Sequence, residues 1–235
     1  MNLNRWHKGN GIDILESRMF INLAIALGPV GVVLIASEYL WRHKYLKGER
    51  ARKFIHILAG AWVAFWPYYL PFDGIFILGC MMLALVIYSR FTNLFHAIYS
   101  VKRKTYGDIF YAIAIMACAL WASSDWAFTI AILVLAVADG AAAVSGRLWA
   151  KKTYLVFGQS FLKKSYLGTF TFFAICYASI IVGYLAGGGL IINQHILFYF
   201  LLLPLTLTII ENIMPAGLDN IAIPLVAVLL MNNIL

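Results

Sequence analysis

The hydrophobic positions of this chain fall into eight runs, separated by short polar segments. The runs cover residues 20–41, 55–70, 75–88, 109–121, 127–146, 167–186, 196–210 and 221–235. They lack the strict alternation of a membrane β-strand, and roughly 20 helical residues cross a bilayer core. The pattern therefore predicts an all-α, polytopic integral membrane protein with about eight transmembrane helices. The fourth, seventh and eighth runs are short, which predicts helices that are tilted, extend into the flanking loops or are only partly inserted.

Composition agrees with this fold class. Of the 235 residues, 63% are hydrophobic and 12% are charged, whereas a soluble domain is nearer half apolar and a quarter charged. We expect residues 1–19 to form a polar tail without a cleaved signal peptide and residues 20–235 to form a single transmembrane catalytic domain. The three cysteines lie in apolar runs without metal-ligand spacing, and we expect all to be buried: Cys80, Cys118 and Cys176.

Basic residues predict the topology. Fifteen of the eighteen Lys and Arg residues lie in segments 42–53, 90–104 and 147–164, after the first, third and fifth runs. The positive-inside rule places these segments in the cytoplasm. The net charge of +8 is therefore interpreted as an orientation signal that also meets anionic lipids, and not as a nucleic-acid surface. The chain is expected in the cell inner membrane or an equivalent membrane.

Four carboxylates lie at or near the cytoplasmic ends of the predicted spans: Asp108, Asp139, Glu211 and Asp219. Ionisable residues in membrane spans are costly and usually mark functional sites. Glu211 ends a helix, where the dipole disfavours an anion unless a cation binds. Glu38 is expected to pair with Arg42 at the i,i+4 spacing. The other carboxylates are interpreted as solvated charges: Asp13, Glu16, Glu49, Asp73 and Asp125.

Cationic residues share the same predicted face. Ser165, after Lys163 and Lys164, is a predicted N-cap for the sixth run. A phosphate bound there would satisfy both the lysine charges and the free helix amides, and Gly168 would allow its close approach. Carboxylates beside these groups suggest a metal–triphosphate site, because Mg²⁺ typically binds one or two carboxylates together with phosphate oxygens.

A second group of polar residues begins the second run. Arg52, His56 and Gly60 recur at the i,i+4 spacing and share one helix face, with Lys53 adjacent. Beside a phosphate site, His56 becomes a candidate phosphate or substrate contact. The other histidines show no partner pattern and are interpreted as ordinary structural residues: His7, His43, His96 and His195.

Five motifs over residues 50–226 resemble the integral-membrane CTP-dependent lipid kinases, a family that includes phytol kinase, dolichol or polyprenol kinase and CTP-dependent diacylglycerol kinase. The family is related to the phosphatidate cytidylyltransferases. The motifs are Arg52-Lys53-x-x-His56-x-x-x-Gly60, Lys104-Thr105-Tyr106-Gly107-Asp108, Asp139-Gly140-x-x-Ala143-x-x-x-Gly146, Lys164-Ser165-x-x-Gly168-Thr169, and Glu211 with Gly217-Leu218-Asp219-Asn220-x-x-x-Pro224.

The resemblance implies a lipid-alcohol kinase that uses CTP and Mg²⁺ on an isoprenoid alcohol. It implies catalytic roles for Asp108, Asp139 and Lys164. Nucleotide or phosphate binding is implied for Arg52, Lys53, His56, Ser165, Gly168 and Asn220. Metal binding is implied for Asp139, Glu211 and Asp219. The chain departs from the family pattern at Leu167, where a Glu is usual, and at 150–152, where a Gly-rich turn is common.

Several alternatives stay open on sequence. A cytidylyltransferase would need the same nucleotide, metal and lipid, and a diacylglycerol kinase would differ in its acceptor. A transporter would also carry intramembrane carboxylates, but it usually places them near the bilayer midplane. A family member without activity is a further alternative, suggested by Leu167. The oligomeric state is left open.

Overall fold

The computed structural model describes residues 7–92, 96–99, 106–158, 163–189, 194–215 and 217–234, with side chains from Arg18 onward except at Tyr99. The helices are α1 (His7–Arg42), α2 (Glu49–Val63), α3 (Phe72–Thr92), α4 (His96–Tyr99), α5 (Gly107–Trp121), α6 (Asp125–Leu133), α7 (Asp139–Leu148), α8 (Tyr166–Ala186), α9 (Gln194–Ile213) and α10 (Asp219–Met231). A π-helical turn, Val134–Ala138, joins α6 to α7, which makes one helix, Asp125–Leu148. The helix α1 extends into the segment predicted as a polar tail.

Five described helices are long and apolar enough to cross a membrane. They are Arg18–Arg42, Phe72–Thr92, Asp125–Leu148, Tyr166–Ala186 and Gln194–Ile213, while α5 and α10 are apolar but shorter. A helical, multi-pass membrane protein is therefore supported, and the count of eight spans stays a prediction. For the short seventh run the structure shows extension into the flanking segments: α9 extends past both ends of the run and has 20 residues.

The helix Asp125–Leu148 lies at the centre of the bundle, with 72% of its most apolar window buried. The side chains of Phe128, Ile130 and Leu135 have no exposed surface. The helices α2, α8 and α10 pack against it. By contrast, only 6% of the most apolar window of Arg18–Arg42 is buried. An apolar exterior of this kind is matched to lipid hydrocarbon. The high hydropathy of the chain therefore reflects apolar residues in the buried core and on the lipid-facing surface.

The basic segment after α7 contains a feature that the all-α prediction missed. Residues Thr153–Leu155 (β1) and Lys163–Ser165 (β2) pair as a small antiparallel hairpin, directly before α8. The strands have three residues each, and hydropathy patterns cannot reveal an element that short. The hairpin matters because it places Lys164 and Ser165 on a fixed element and not in a loop.

The end of α1 is tied to α4 through Glu38. Its carboxylate accepts Arg42 Nε at 3.2 Å, as predicted from the spacing. It also accepts His96 Nδ1 at 3.2 Å and the Ala97 amide at 3.1 Å. Trp41 also stacks on the His96 ring, so His96 has a structural role, with a partner that the sequence did not reveal.

The cysteine prediction is confirmed for two of the three residues. Cys118 and Cys176 are buried inside the bundle, whereas Cys80 is exposed on the outward side of α3. Hydropathy cannot separate these cases, because in a membrane helix the lipid-facing and core-facing positions are both apolar.

Small residues let α2 approach the central helix. A Cβ atom added at Gly140 would lie 2.2 Å from the side chain of Ile57. At Gly60 it would lie 2.5 Å from the Tyr111 hydroxyl and 2.6 Å from Ala136 Cβ. Both distances are far below van der Waals contact, so this interface requires glycine.

We expect Gly60→Ala to destabilise the bundle by about 1–3 kcal/mol, because overpacking forces helices apart. Ala136 Cβ belongs to a helix and cannot rotate away. Thermal unfolding of the purified protein in detergent measures the effect. Gly28→Ala is the matched control, since a Cβ there meets no atom within 4 Å. Equal unfolding midpoints for the two variants would contradict close packing at Gly60.

Candidate functional site

Most of the sequence-predicted residues line one polar cavity at one end of the bundle. Its volume is about 400 Å³. Its wall is formed by the start of α2, one side of α7 along most of its length, the hairpin, the start of α8, the end of α9 and the start of α10. The predicted residues among its lining are Arg52, Lys53, Asp139, Lys164, Ser165, Gly168, Glu211, Asp219 and Asn220. Two predicted residues are not among the lining: His56 and Asp108.

Asp139 is the most buried charge in the cavity wall, with 5% of its surface exposed. Lys53 of α2 forms an ion pair with its Oδ2 atom. His56 lies behind the carboxylate, and its Nε2 atom is 3.0 Å from the Leu135 carbonyl and 3.3 Å from Asp139 Oδ2. A carbonyl can only accept, so Nε2 carries a proton and donates. His56 therefore supports Asp139 from the protein side and does not face the cavity.

The π-helical turn contributes to the position of Asp139. The Asp139 amide donates to the Val134 carbonyl, five residues earlier, in place of the usual α-helical partner. An extra residue of this kind rotates the next turn relative to the previous one. The turn places the carboxylate beside Lys53 while Gly140 packs on Ile57.

A second ion pair joins the hairpin to the end of α9. Lys164 Nζ donates to Glu211 Oε1 at 2.6 Å and to the Glu211 carbonyl at 2.7 Å. The lysine thus offsets both the buried carboxylate and the negative end of the α9 dipole. Lys164 therefore supplies a protein cation at Glu211 Oε1, and the metal-binding role implied for Glu211 stays a prediction.

Glu49 is a cavity residue that sequence reasoning missed. It was interpreted as a solvated charge, but it lines the cavity and pairs with Arg52, with Nε 3.2 Å from Oε2. Burial acts to raise the pKa of the Glu49 carboxyl, but the hydrogen bonds and charge of Arg52, helped by Lys53 and Arg147, bring that pKa below its ordinary value. The i,i+3 spacing of Glu49 and Arg52 was the available signal.

Ser165 is the N-cap of α8, as predicted from the sequence. Ser165 Oγ accepts the Gly168 amide at 3.0 Å. A Cβ at Gly168 would lie 2.7 Å from Ser165 Oγ and 3.0 Å from the Ala142 carbonyl. Gly168 is therefore needed for the contact between α8 and α7, as well as bordering the cavity.

The last predicted pair, Asp219 and Asn220, begins α10. Asn220 Nδ2 donates to the Gly107 carbonyl at 2.8 Å, which ties the start of α10 to the start of α5. Asp108, the residue after Gly107 in α5, points to α3, where Arg90 binds both of its carboxylate oxygens. Lys104 and Thr105 of the same motif lie outside the described residues.

The three predicted metal ligands all line the cavity: Asp139, Glu211 and Asp219. Asp139 and Glu211 are each paired with a lysine, whereas the described residues provide no ion pair for Asp219. Within the described ranges no group of three His, Cys, Asp or Glu side chains converges as a preformed metal centre. The set still fits Mg²⁺, which needs only one or two carboxylates when phosphate and water supply the other oxygens.

The chain is 30% identical over 164 residues to a phytol kinase of Synechocystis sp.. The aligned region covers 65% of this chain and 66% of that protein, slightly less than two thirds of its length. No family model matches the chain, and no solved structure matches it. The relationship supports the kinase family that the motifs resemble without selecting a particular member.

We expect Lys53→Met to destabilise the protein by about 3–5 kcal/mol, because it leaves the buried Asp139 carboxylate without its counter-charge. The double variant Lys53→Met/Asp139→Asn should recover much of that loss, since no unpaired ion remains. Thermal unfolding in detergent measures both.

Arg42→Met is the control for this experiment. Its guanidinium also pairs with a carboxylate, but 68% of the Arg42 side chain is exposed, so its removal should have little effect. If the double variant is no more stable than Lys53→Met, the charge of Lys53 does not compensate that of Asp139.

Proposed function

We propose that this protein is a membrane lipid-alcohol kinase that transfers the γ-phosphoryl group of CTP to an isoprenoid alcohol, such as phytol, a polyprenol or dolichol, at the cytoplasmic membrane face. One observation carries the proposal: a single cavity combines Lys164, beside the capped start of α8, with Arg52, Lys53 and four carboxylates. Similarity to a phytol kinase supports the phosphoryl-transfer class. The basic segments support a cytoplasmic orientation.

Lys164 and the first amides of α8 are proposed to bind the triphosphate. Two of the three Lys164 ammonium protons are used at Glu211, which leaves one for a phosphate oxygen. Arg52 also lines the cavity and offers further donors. Phosphoryl transfer depends mainly on positioning and on charge stabilisation, so a small set of fixed cations is suited to it.

Asp139, with Glu211, is proposed to hold Mg²⁺, with Asp219 as a further carboxylate at the cavity. When bound, the ion would neutralise charge that develops on the phosphate oxygens. The described residues form no ion pair with Asp219, so we propose that its carboxylate accepts the proton of the acceptor alcohol. Asp108 is not given this role, because Arg90 binds its carboxylate. The alcohol oxygen bonds to the γ-phosphorus, the bond from that phosphorus to the bridging oxygen breaks, and CDP leaves.

A cytidylyltransferase is the second enzyme candidate, because the same cations and carboxylates would bind CTP for attack at the α-phosphorus. Diacylglycerol is an alternative acceptor within the kinase class. A transporter is disfavoured, since the charged residues cluster at one end of the bundle and not at mid-height.

Labelled nucleotide separates these reactions. Membranes that contain the protein are incubated with lipid alcohols and CTP that carries label at the γ- or the α-phosphate. The kinase proposal expects γ-label in the lipid, with phytol and polyprenols above diacylglycerol. Label in pyrophosphate, with α-label in the lipid, would establish the cytidylyltransferase instead. Parallel reactions with ATP determine the nucleotide preference.

Replacement of Lys164 tests the phosphate site. We expect Lys164→Met to lower kcat/KM for CTP by about 10²–10³-fold, the usual effect of removing one charge-stabilising donor. Lys151→Met is the matched control, because Lys151 belongs to the same basic segment but is exposed and does not line the cavity. A rate for Lys164→Met within twofold of the control would exclude Lys164 from the site.

A further inference from the structure

The hairpin that carries Lys164 cannot hold its position by pairing alone. Its strands have three residues each, and an isolated two-stranded hairpin is marginally stable at best. Its position over the cavity therefore depends on the side chains that dock it onto the helices. These docking contacts determine how well the Lys164 ammonium group is fixed.

The strand register identifies two such side chains. Tyr154 of β1 is the cross-strand partner of Lys164 of β2, and partners directly opposite in an antiparallel pair lie on the same face. Both reach the end of α9, where they contact consecutive residues. Lys164 binds Glu211, and the Tyr154 hydroxyl donates to Asn212 Oδ1 at 2.5 Å.

The bonds around Tyr154 form a consistent set of donors and acceptors. Asn212 Nδ2 donates to the Thr208 carbonyl at 2.8 Å, which turns its Oδ1 atom toward Tyr154. The single phenol proton is used at Asn212, so the Thr169 Oγ1 proton is shared between the Tyr154 oxygen, at 2.6 Å, and Asn212 Oδ1, at 3.2 Å. Tyr154 therefore joins β1, α8 and α9 at one point.

We propose that Tyr154 is a positioning residue, which fixes Lys164 over the cavity through its bonds to Asn212 and Thr169. Lysine has a long, flexible side chain. The strand that carries it must therefore be docked firmly on the helices if the ammonium group is to stay in one place. The tyrosine does not border the cavity, whereas Lys164 and Thr169 do. The inference rests on the proposed function for the role given to Lys164.

Tyr154→Phe is the test, because it removes the hydroxyl and keeps the ring. We expect KM for CTP to rise about tenfold, the equivalent of one hydrogen bond, with kcat changed less than about twofold. Tyr166→Phe is the matched control. Its ring lies 4.8 Å from that of Tyr154, and 60% of the residue is exposed. An equal rise in KM for both variants would overturn the proposal.

A double-mutant cycle separates positioning from general stabilisation. If Tyr154 acts through Lys164, Tyr154→Phe should change KM by less than about twofold when Lys164 is already Met, because coupled residues are not additive. An effect of the same size in both backgrounds would show that Tyr154 acts on the fold as a whole and would overturn the inference.

A spin label measures the docking itself, independently of catalysis. The label is attached to Leu155→Cys on β1 in a Cys80→Ser background, since Leu155 and Cys80 are exposed. We expect Tyr154→Phe to increase label mobility and Tyr166→Phe to leave it unchanged. No increase would overturn the docking role. Absence of any lipid phosphorylation by the unmodified protein would instead defeat the proposed function, while the mobility result would still decide the docking.

Discussion

Asp139 is an anion in the middle of the most buried helix of the bundle, and the position of α2 follows from it. A carboxylate with 5% of its surface exposed is strongly destabilising unless its charge is compensated nearby. Lys53, 86 residues earlier in the chain, and His56 provide that compensation from α2. Because both belong to α2, this helix must lie against the central one, and Gly60 and Gly140 make the approach close enough.

The pair Lys164–Glu211 compensates a second buried carboxylate of the cavity wall in the same way. It joins residues 47 positions apart and fixes the hairpin to the end of α9. Each pair brings a cation from a basic segment to a carboxylate from an apolar helix. The basic segments thus have two physical roles in this fold: they are predicted to orient the helices in the bilayer, and a few of their residues compensate buried carboxylates.

Much of this arrangement could be predicted from single helices. The hydropathy pattern located the apolar helices, Ser165 was recognised as a cap, and spacing alone predicted the pairing of Glu38 with Arg42. Tertiary partners could not be predicted in this way. Nothing in the sequence near Asp108 indicates that Arg90, on another helix, engages its carboxylate. The hairpin was missed because its strands are too short to produce a periodic signal.

The balance of charge in the cavity supports a ligand that combines anion and cation. Five basic and four acidic side chains line it, and four of the described pairs in or behind the wall are already formed within the protein. A bare polyphosphate would gain from the lysines but would be repelled by the carboxylates at similar range. A divalent ion that accompanies the phosphates removes this conflict, since the carboxylates then face a cation. The metal–nucleotide complex that we propose as the ligand would therefore suit this balance of charge better than an anion alone.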